Sequence, residues 1–255
     1  MHVVTVLGAR PQFIKAAPLA KALREMTRVR ATLVHTGQHY DASMSEVFFE
    51  ELGVPPPDFN LGIGSGPHGQ QTGRMLECLE RLLLELRPDW LLVFGDTNST
   101  LAGALAAAKL HIPVAHVEAG LRSYNRRMPE ELNRVLTDHV STLLFAPTET
   151  AVENLHREGV VPDRIHRVGD VMYDAAIQYA AMADAKSAIL RQLGLTPQQY
   201  VLAPIHRAEN TDDPQRLAAI LIGLDRVSAE TPVVFPLHPR TLAILARGDV
   251  RTPPL

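Results

Sequence analysis

The chain has 255 residues, 46% hydrophobic, 21% charged and 5% aromatic, the balance of a globular protein with room for one large or two modest domains. Its formal net charge of -3 gives no global field for nucleic acid or an anionic membrane, so any bound anion must be held by local Arg and Lys. One cysteine, Cys78, cannot close an intrachain disulfide and fits a reducing compartment; no apolar run approaches the ~18 residues of a membrane span, and a cytoplasmic protein is expected.

Val3 to Leu7 is a β-branched run and predicts a first strand. The stretch before Gly8 is too short for a secretory h-region. Gly8-Ala9-Arg10 turns into Pro11, well placed at a helix start because its missing N–H is unpaired there anyway. The helix should continue through Phe13, Ala17 and Leu23, with a kink at Pro18. Arg30 to Thr36 predicts strand two, leading into Gly37-Gln38-His39-Tyr40-Asp41. Glu46 to Leu52 reads as a short helix closed by Gly53, and Pro55-Pro56-Pro57 forces an extended excursion. Asn60 to Gly69 is glycine-rich and expected to be mobile, while Gln70 to Leu86 has helical spacing at Met75, Leu79, Leu82, Leu83 and Leu86.

The central stretch runs from Leu91 to Arg122. Two short apolar runs, Leu91 to Phe94 and Pro113 to Val117, flank an alanine-rich segment the length of a crossover helix, the pattern of one βαβ unit. Each run ends in a carboxylate, Asp96 after the first and Glu118 after the second. If the strands are parallel neighbours, both carboxylates emerge at the carboxyl-terminal edge, where open α/β sheets bind ligands. Asp96 has a competing role, since Gly95-Asp96-Thr97-Asn98-Ser99-Thr100 offers several caps for the next helix. Glu118 has Arg122 as a possible structural partner. Pro129-Glu130-Glu131 predicts a helix start, with carboxylates complementing the dipole. Glu130, Asn133 and Arg134 share one face of that helix: either a simple Glu130–Arg134 surface pair, or a third carboxylate brought to the crevice.

Leu143 to Ala146 predicts another buried strand, Pro147 to Gly159 a helix, Ile165 to Val168 a short strand and Ala175 to Ala188 a helix. A second unit then restarts the pattern: strand 200–204, loop 206–213, helix 214–227, strand 233–236 and a helix from about Thr241. The fold class expected is α/β, two Rossmann-like, doubly wound parallel-sheet lobes with the second incomplete. The boundaries expected are 1–182 for the first lobe, 183–198 for a linker and 199–255 for the second.

Gly64-Ser65-Gly66-Pro67-His68-Gly69 matches G-x-G-x-x-G only as a string, because it does not follow the first strand. No P-loop, H-E-x-x-H or C-x-x-C occurs, and the histidines are scattered, so neither a cofactor nor a protein metal site is expected. Gly8-Ala9-Arg10-Pro11-Gln12 with Lys15 is an anion-site candidate: the turn aims helix N–H groups at the ligand edge and Arg10 offers a planar fork. His206 follows a strand end in the second unit; a lone His there has an ordinary structural reading, as does His238.

Seven strings occur in the order of one family: Gly8 to Lys15, Thr36 to Asp41, Gly95-Asp96-Thr97, His116 to Arg122, Pro129 to Arg134, Pro147-Thr148-Glu149, and His206-Arg207-Ala208-Glu209-Asn210. Together they resemble the non-hydrolysing UDP-N-acetylglucosamine 2-epimerases, over the chain from Met1 to about Arg240. The resemblance implies the GT-B-like fold and inversion at C2 of UDP-GlcNAc to give UDP-ManNAc, by elimination of UDP to 2-acetamidoglucal and its re-addition. The residues suit that chemistry. The C2 proton is not flanked by a carbonyl, and without a nicotinamide fingerprint C–O cleavage remains, which needs carboxylates to move protons. By resemblance Asp96, Glu118, Glu130 and His206 are the catalytic candidates. Arg10, Lys15, Gln38, His39, Arg122, Arg134, Arg207, Glu209 and Asn210 are the substrate-binding ones. The implied partner is a UDP-sugar, with no nucleic acid and no membrane, and a homodimer is admitted.

The family continues beyond the point matching Leu255, so a truncated member with weak or no activity alone is expected. The alternatives are a GT-B glycosyltransferase, a hydrolysing 2-epimerase and a non-catalytic nucleotide-sugar binder. A 2,3-diacetamido uronic acid nucleotide also stays open as substrate.

Overall fold

A computed structural model describes residues 1–38, 53, 55–205, 208–237 and 239–247, without the side chains of residues 10, 208, 209, 239 and 240. The chain divides into two compact units, Met1–Ala181 and Met182–Leu255.

The first unit is built on a sheet of β1 (His2–Leu7), β2 (Arg30–His35), β3 (Phe59–Asn60), β4 (Trp90–Phe94), β5 (Val114–Val117), β6 (Leu143–Ala146) and β7 (Ile165–Arg167). Its order is β3-β2-β1-β4-β5-β6-β7, with every neighbouring pair parallel. The order reverses between β1 and β4, which makes their carboxyl ends the topological switch point where such sheets bind ligands. The expected neighbours are neighbours: β4 and β5 pair in parallel, with Phe94 opposite Val117.

Alternation along the strands feeds two cores. Val4, Val6, Leu91, Val93 and Val114 pack with Met75, Leu79 and Leu83 of α2 (His68–Leu86) and the alanines of α3 (Asn98–Lys109). Val3, Leu7, Leu92, Phe94, Ala115 and Val117 pack with Phe13, Ala16 and Ala17 of α1 (Arg10–Glu25) on the other face. A sheet covered on both faces needs apolar residues at every strand position, which is why these strands read as continuous runs. Small side chains on α3 allow its close fit: Gly103 lies against Val93, Leu91 and Val6. Next come α4 (Pro129–Val140), α5 (Glu149–Arg157) and α6 (Val171–Lys186).

Pro18 lies inside α1, and the helix runs unbroken from Arg10 to Glu25. Phe13 and Ala17 before it and Leu19 and Leu23 after it pack on the same core, and tertiary packing outweighs one lost hydrogen bond. In the glycine-rich segment, Ile63 and Gly64 donate their N–H groups to the carbonyls of Thr36 and Gly37. Residues 183–186, placed in a linker, continue α6, and α7 (Ile189–Gln192) follows. The expected helix from Glu46 to Leu52 lies outside the described residues.

Gln12 ties the switch point together. Buried to 1% exposure, it accepts the N–H groups of Gly8 at 2.8 Å and Ala9 at 3.0 Å through Oε1. Its Nε2 donates to the Phe94 carbonyl and to Thr100 Oγ1, both at 2.9 Å. Gln12→Leu should strand several buried groups and cost about 3 kcal/mol, lowering Tm by roughly 6–12 °C, measurable by thermal denaturation.

The second unit contains a parallel pair, β8 (Val201–Leu202) and β9 (Val233–Val234). Its helices are α8 (Ala208–Thr211), α9 (Pro214–Ser228) and α10 (Pro239–Ala246). Asp213 caps α9 by accepting the N–H groups of Gln215 and Arg216, and Leu217 and Leu221 of α9 form a small core with Phe235, Ile244 and Leu245.

Candidate active site

Asp96 and Glu118 stand just beyond the carboxyl ends of β4 and β5, as their places in the chain require. The cap that competed for Asp96 is supplied by its neighbour: Thr97 Oγ1 accepts the Thr100 N–H and opens α3. Asp96 instead pairs with Arg134 Nη2. Glu118 pairs with Lys15 Nζ at 2.5 Å, with side-chain exposures of 9% and 16%, so its partner comes from α1 and not from Arg122. The backbone at Glu118 is left-handed, with φ 69, a conformation that costs a non-glycine residue about 1–3 kcal/mol and persists only where its surroundings hold it.

Gly95 explains the close fit between the two loops. Its φ is 62, and a Cβ there would lie 3.1 Å from Glu118 Oε2 and 3.3 Å from Lys15 Nζ.

Helix α4 supplies the third side of the cluster. Asn133 Nδ2 donates to the Asp96 carbonyl at 2.9 Å and to Asn98 Oδ1 at 3.1 Å. Arg134 reaches Glu131 as well as Asp96, in place of the Glu130–Arg134 surface pair, one of the two readings of this face. Glu130 is half-buried in the first turn of α4, with no ion pair recorded for it among the described residues. Glu131 does more than complement the dipole. It accepts the Ser123 N–H and O–H and the Tyr124 N–H at 2.8–2.9 Å, fixing the polar loop between β5 and α4.

Beneath the loops lies a buried charged network that sequence reasoning did not assign. His116 and Asp138, both fully buried, pair through Nδ1 and Oδ1 at 2.7 Å. His116 Nε2 lies 2.7 Å from the Gly95 carbonyl. Asp138 Oδ2 accepts the Gly120 N–H at 3.1 Å and pairs with Arg122 Nη1 at 2.7 Å. Arg122 also forks onto Glu158 with two bonds of 2.7 Å. Its side chain is 1% exposed. Arg122 was expected to bind substrate; the structure spends its guanidinium inside the fold. The anion reading of the first turn is likewise narrowed, because Gln12 already satisfies the Gly8 and Ala9 N–H groups and Pro11 has none.

Burial pushes the pKa of Asp138 up, but the His116 ring and the Arg122 guanidinium outweigh it and leave the group below 3.8. Burial likewise opposes ionisation of Glu131, and hydrogen bonds from Ser123 and Tyr124 with the charge of Arg134 bring it below 4.5. Both folded values lie under the unfolded ones. Their stabilisation is therefore complete above about pH 4.5 and is lost as pH falls through the folded values. Tm should fall steeply below about pH 4, and Glu131→Gln should lower Tm at neutral pH and flatten that acid limb.

Gln38 binds the start of α3, its Oε1 accepting from the Ser99 N–H at 3.1 Å and Oγ at 2.7 Å. His39, His206, Arg207 and the side chains of Arg10 and Glu209 lie outside the described residues. Asn210 is half-buried on α8 of the second unit.

A switch-point sheet edge bearing two carboxylates, with a second α/β unit following, places the chain in the GT-B-like class of α/β proteins. The family model described as UDP-N-acetylglucosamine 2-epimerase matches residues 21–251. A UDP-2,3-diacetamido-2,3-dideoxy-D-glucuronate 2-epimerase of Pseudomonas aeruginosa is 53% identical over 250 residues, 97% of this chain and 69% of that protein. A UDP-N-acetylglucosamine 2-epimerase of Methanocaldococcus jannaschii is 47% identical over 245 residues, 94% and 67% of the two chains. A crystal structure of the Methanocaldococcus jannaschii UDP-GlcNAc 2-epimerase in complex with UDP-GlcNAc and UDP superposes with a TM-score of 0.86 at 46% identity, covering 97% of this chain and 68% of that one. The chain belongs to the UDP-N-acetylglucosamine 2-epimerase family, which makes it an enzyme of the isomerase class. It spans about two thirds of the length of these relatives.

Proposed function

We propose that the chain inverts C2 of a UDP-linked 2-acetamido sugar, converting UDP-GlcNAc to UDP-ManNAc through elimination and re-addition of UDP. The observation that carries this reading is the placement of Asp96 and Glu118 at adjacent parallel strand ends, each paired to a cation from another element. In the forward step a carboxylate takes the C2 proton, the C2–H electrons form the C1=C2 bond, and the C1–O bond breaks to release UDP. In the return, a UDP oxygen adds to C1 while a proton reaches C2 from the opposite face. Two opposed proton transfers call for more than one carboxylate near C2, and Asp96, Glu118 and Glu130 are the candidates. Arg10, Lys15 and His206 are proposed to meet the diphosphate, whose departing charge needs cations. Gln38, His39, Arg134, Arg207, Glu209 and Asn210 are proposed as further substrate contacts.

A second substrate has a specific observation in its favour. The Pseudomonas aeruginosa relative, named for a 2,3-diacetamido-glucuronate nucleotide, has the higher identity, 53% against 47% for the Methanocaldococcus jannaschii enzyme. Supplying both nucleotides in one reaction and following their 2-epimers by NMR decides between them. Preferential UDP-ManNAc formation supports the first reading; exclusive turnover of the uronate overturns it.

A further inference from the structure

We infer that the buried His116–Asp138 pair is a positioning device that sets where Glu118 stands relative to Asp96; this rests on the epimerase reading above. The pair holds both flanks of one carboxylate and the approach to the other. His116 lies two residues before Glu118 and contacts the carbonyl of Gly95, the residue before Asp96. Asp138 accepts the N–H of Gly120, two residues after Glu118. One ring and one carboxylate thus join the β4 loop, the β5 loop and α4.

The chemistry of the contacts makes this join stiff. The two His116 nitrogens face the Gly95 carbonyl and the Asp138 carboxylate, each at 2.7 Å, so the ring is held from both sides. With both side chains fully buried, the charge-assisted bond to the carboxylate is short and about twice as strong as a neutral one. These contacts hold a segment that needs holding, since Glu118 sits at φ 69 and Gly120 at φ 80. Neither His116 nor Asp138 is exposed, so their influence on substrate passes through Glu118.

Asp96 has separate supports, Arg134 on its carboxylate and Asn133 on its carbonyl. Loosening the pair therefore displaces Glu118 more than Asp96 and alters the two proton transfers unequally. A slower return step gives the elimination products more time to escape as free UDP and 2-acetamidoglucal.

The test compares wild type, His116→Phe, His116→Gln and Thr137→Val with UDP-GlcNAc, counting 2-acetamidoglucal released per UDP-ManNAc formed. That ratio does not depend on the folded fraction, so a merely structural role would not move it. Thr137 neighbours Asp138 on α4, is fully buried, and its hydroxyl has no hydrogen-bond partner among the described residues, so Thr137→Val controls for disturbance of the helix. The ratio should rise about tenfold or more in the His116 variants and stay at the wild-type value in Thr137→Val, with turnover per folded His116→Phe molecule down roughly 10²-fold. His116→Gln keeps a donor for one of the two partners and decides the matter if His116→Phe does not fold. Wild-type ratios in a folded, turning-over His116 variant overturn the inference and leave the epimerase reading standing. Absence of UDP-ManNAc from wild type overturns that reading, and the inference with it.

Discussion

Glu118→Gln should lower turnover of UDP-GlcNAc by about 10³-fold while leaving UDP affinity nearly unchanged. The carboxamide has the volume of the carboxylate but cannot take or return a proton. It also dissolves the 2.5 Å pair with Lys15, so a second account must be separated from the first. If Glu118 only anchors Lys15, Lys15→Met should cost as much as Glu118→Gln and UDP binding should fall in both. If Glu118 moves a proton, Glu118→Gln loses the chemical step while UDP still binds. Steady-state kinetics with calorimetric UDP titration separates the two.

Gly120→Ala should be strongly destabilising. Its φ of 80 is left-handed, and a Cβ would lie 2.3 Å from the Ala151 carbonyl oxygen, 2.8 Å from its carbon and 3.0 Å from Leu155 Cδ1. The first two are backbone atoms of α5 and cannot turn aside. Left-handed geometry costs alanine about 1–2 kcal/mol and overpacking about 1–3 kcal/mol more. A loss of roughly 2–5 kcal/mol corresponds to a Tm lower by about 4–20 °C. Activity should fall further than the folded fraction does, because the Gly120 N–H bonded to Asp138 belongs to the Glu118 loop. Gly159, also left-handed but with open space around its Cβ position, supplies the comparison: Gly159→Ala should cost only the backbone part, about 1–2 kcal/mol, as thermal denaturation will register.

The βαβ unit from Leu91 to Arg122 was legible because everything it needs is local. Apolar runs of strand length, a small-residue crossover and a carboxylate after each run fix the register, and parallel pairing then puts both carboxylates at one edge. The partners of those carboxylates were not legible, since they come from far along the chain. Lys15 is 103 residues from Glu118, and Arg134 is 38 from Asp96. Local pairings at short helical spacing, Glu130 with Arg134 and Glu118 with Arg122, were the natural guesses, and the fold uses neither.

Helix α4 shows the same limit from another side. Its periodicity is clear, but the stripe it buries is the polar one. Glu131, Asn133, Thr137 and Asp138 are buried while Leu132 and Leu136 are 44% and 51% exposed. Periodicity gives two faces and leaves open which one turns inward; here the partners His116, Arg122 and Arg134 decide it. A readable signal existed in the apolar Val-Ala-His-Val strand: a histidine amid buried neighbours asks for a partner, and Asp138 is that partner.

The central claim is proton exchange at C2 through a UDP-elimination intermediate, and incubation with UDP-GlcNAc in deuterated water reads it directly. The account predicts deuterium at C2 of the UDP-ManNAc formed and, with time, of the recovered UDP-GlcNAc. UDP-ManNAc that retains the original C2 hydrogen, or UDP release with free sugar and no exchange into the nucleotide sugars, would contradict it.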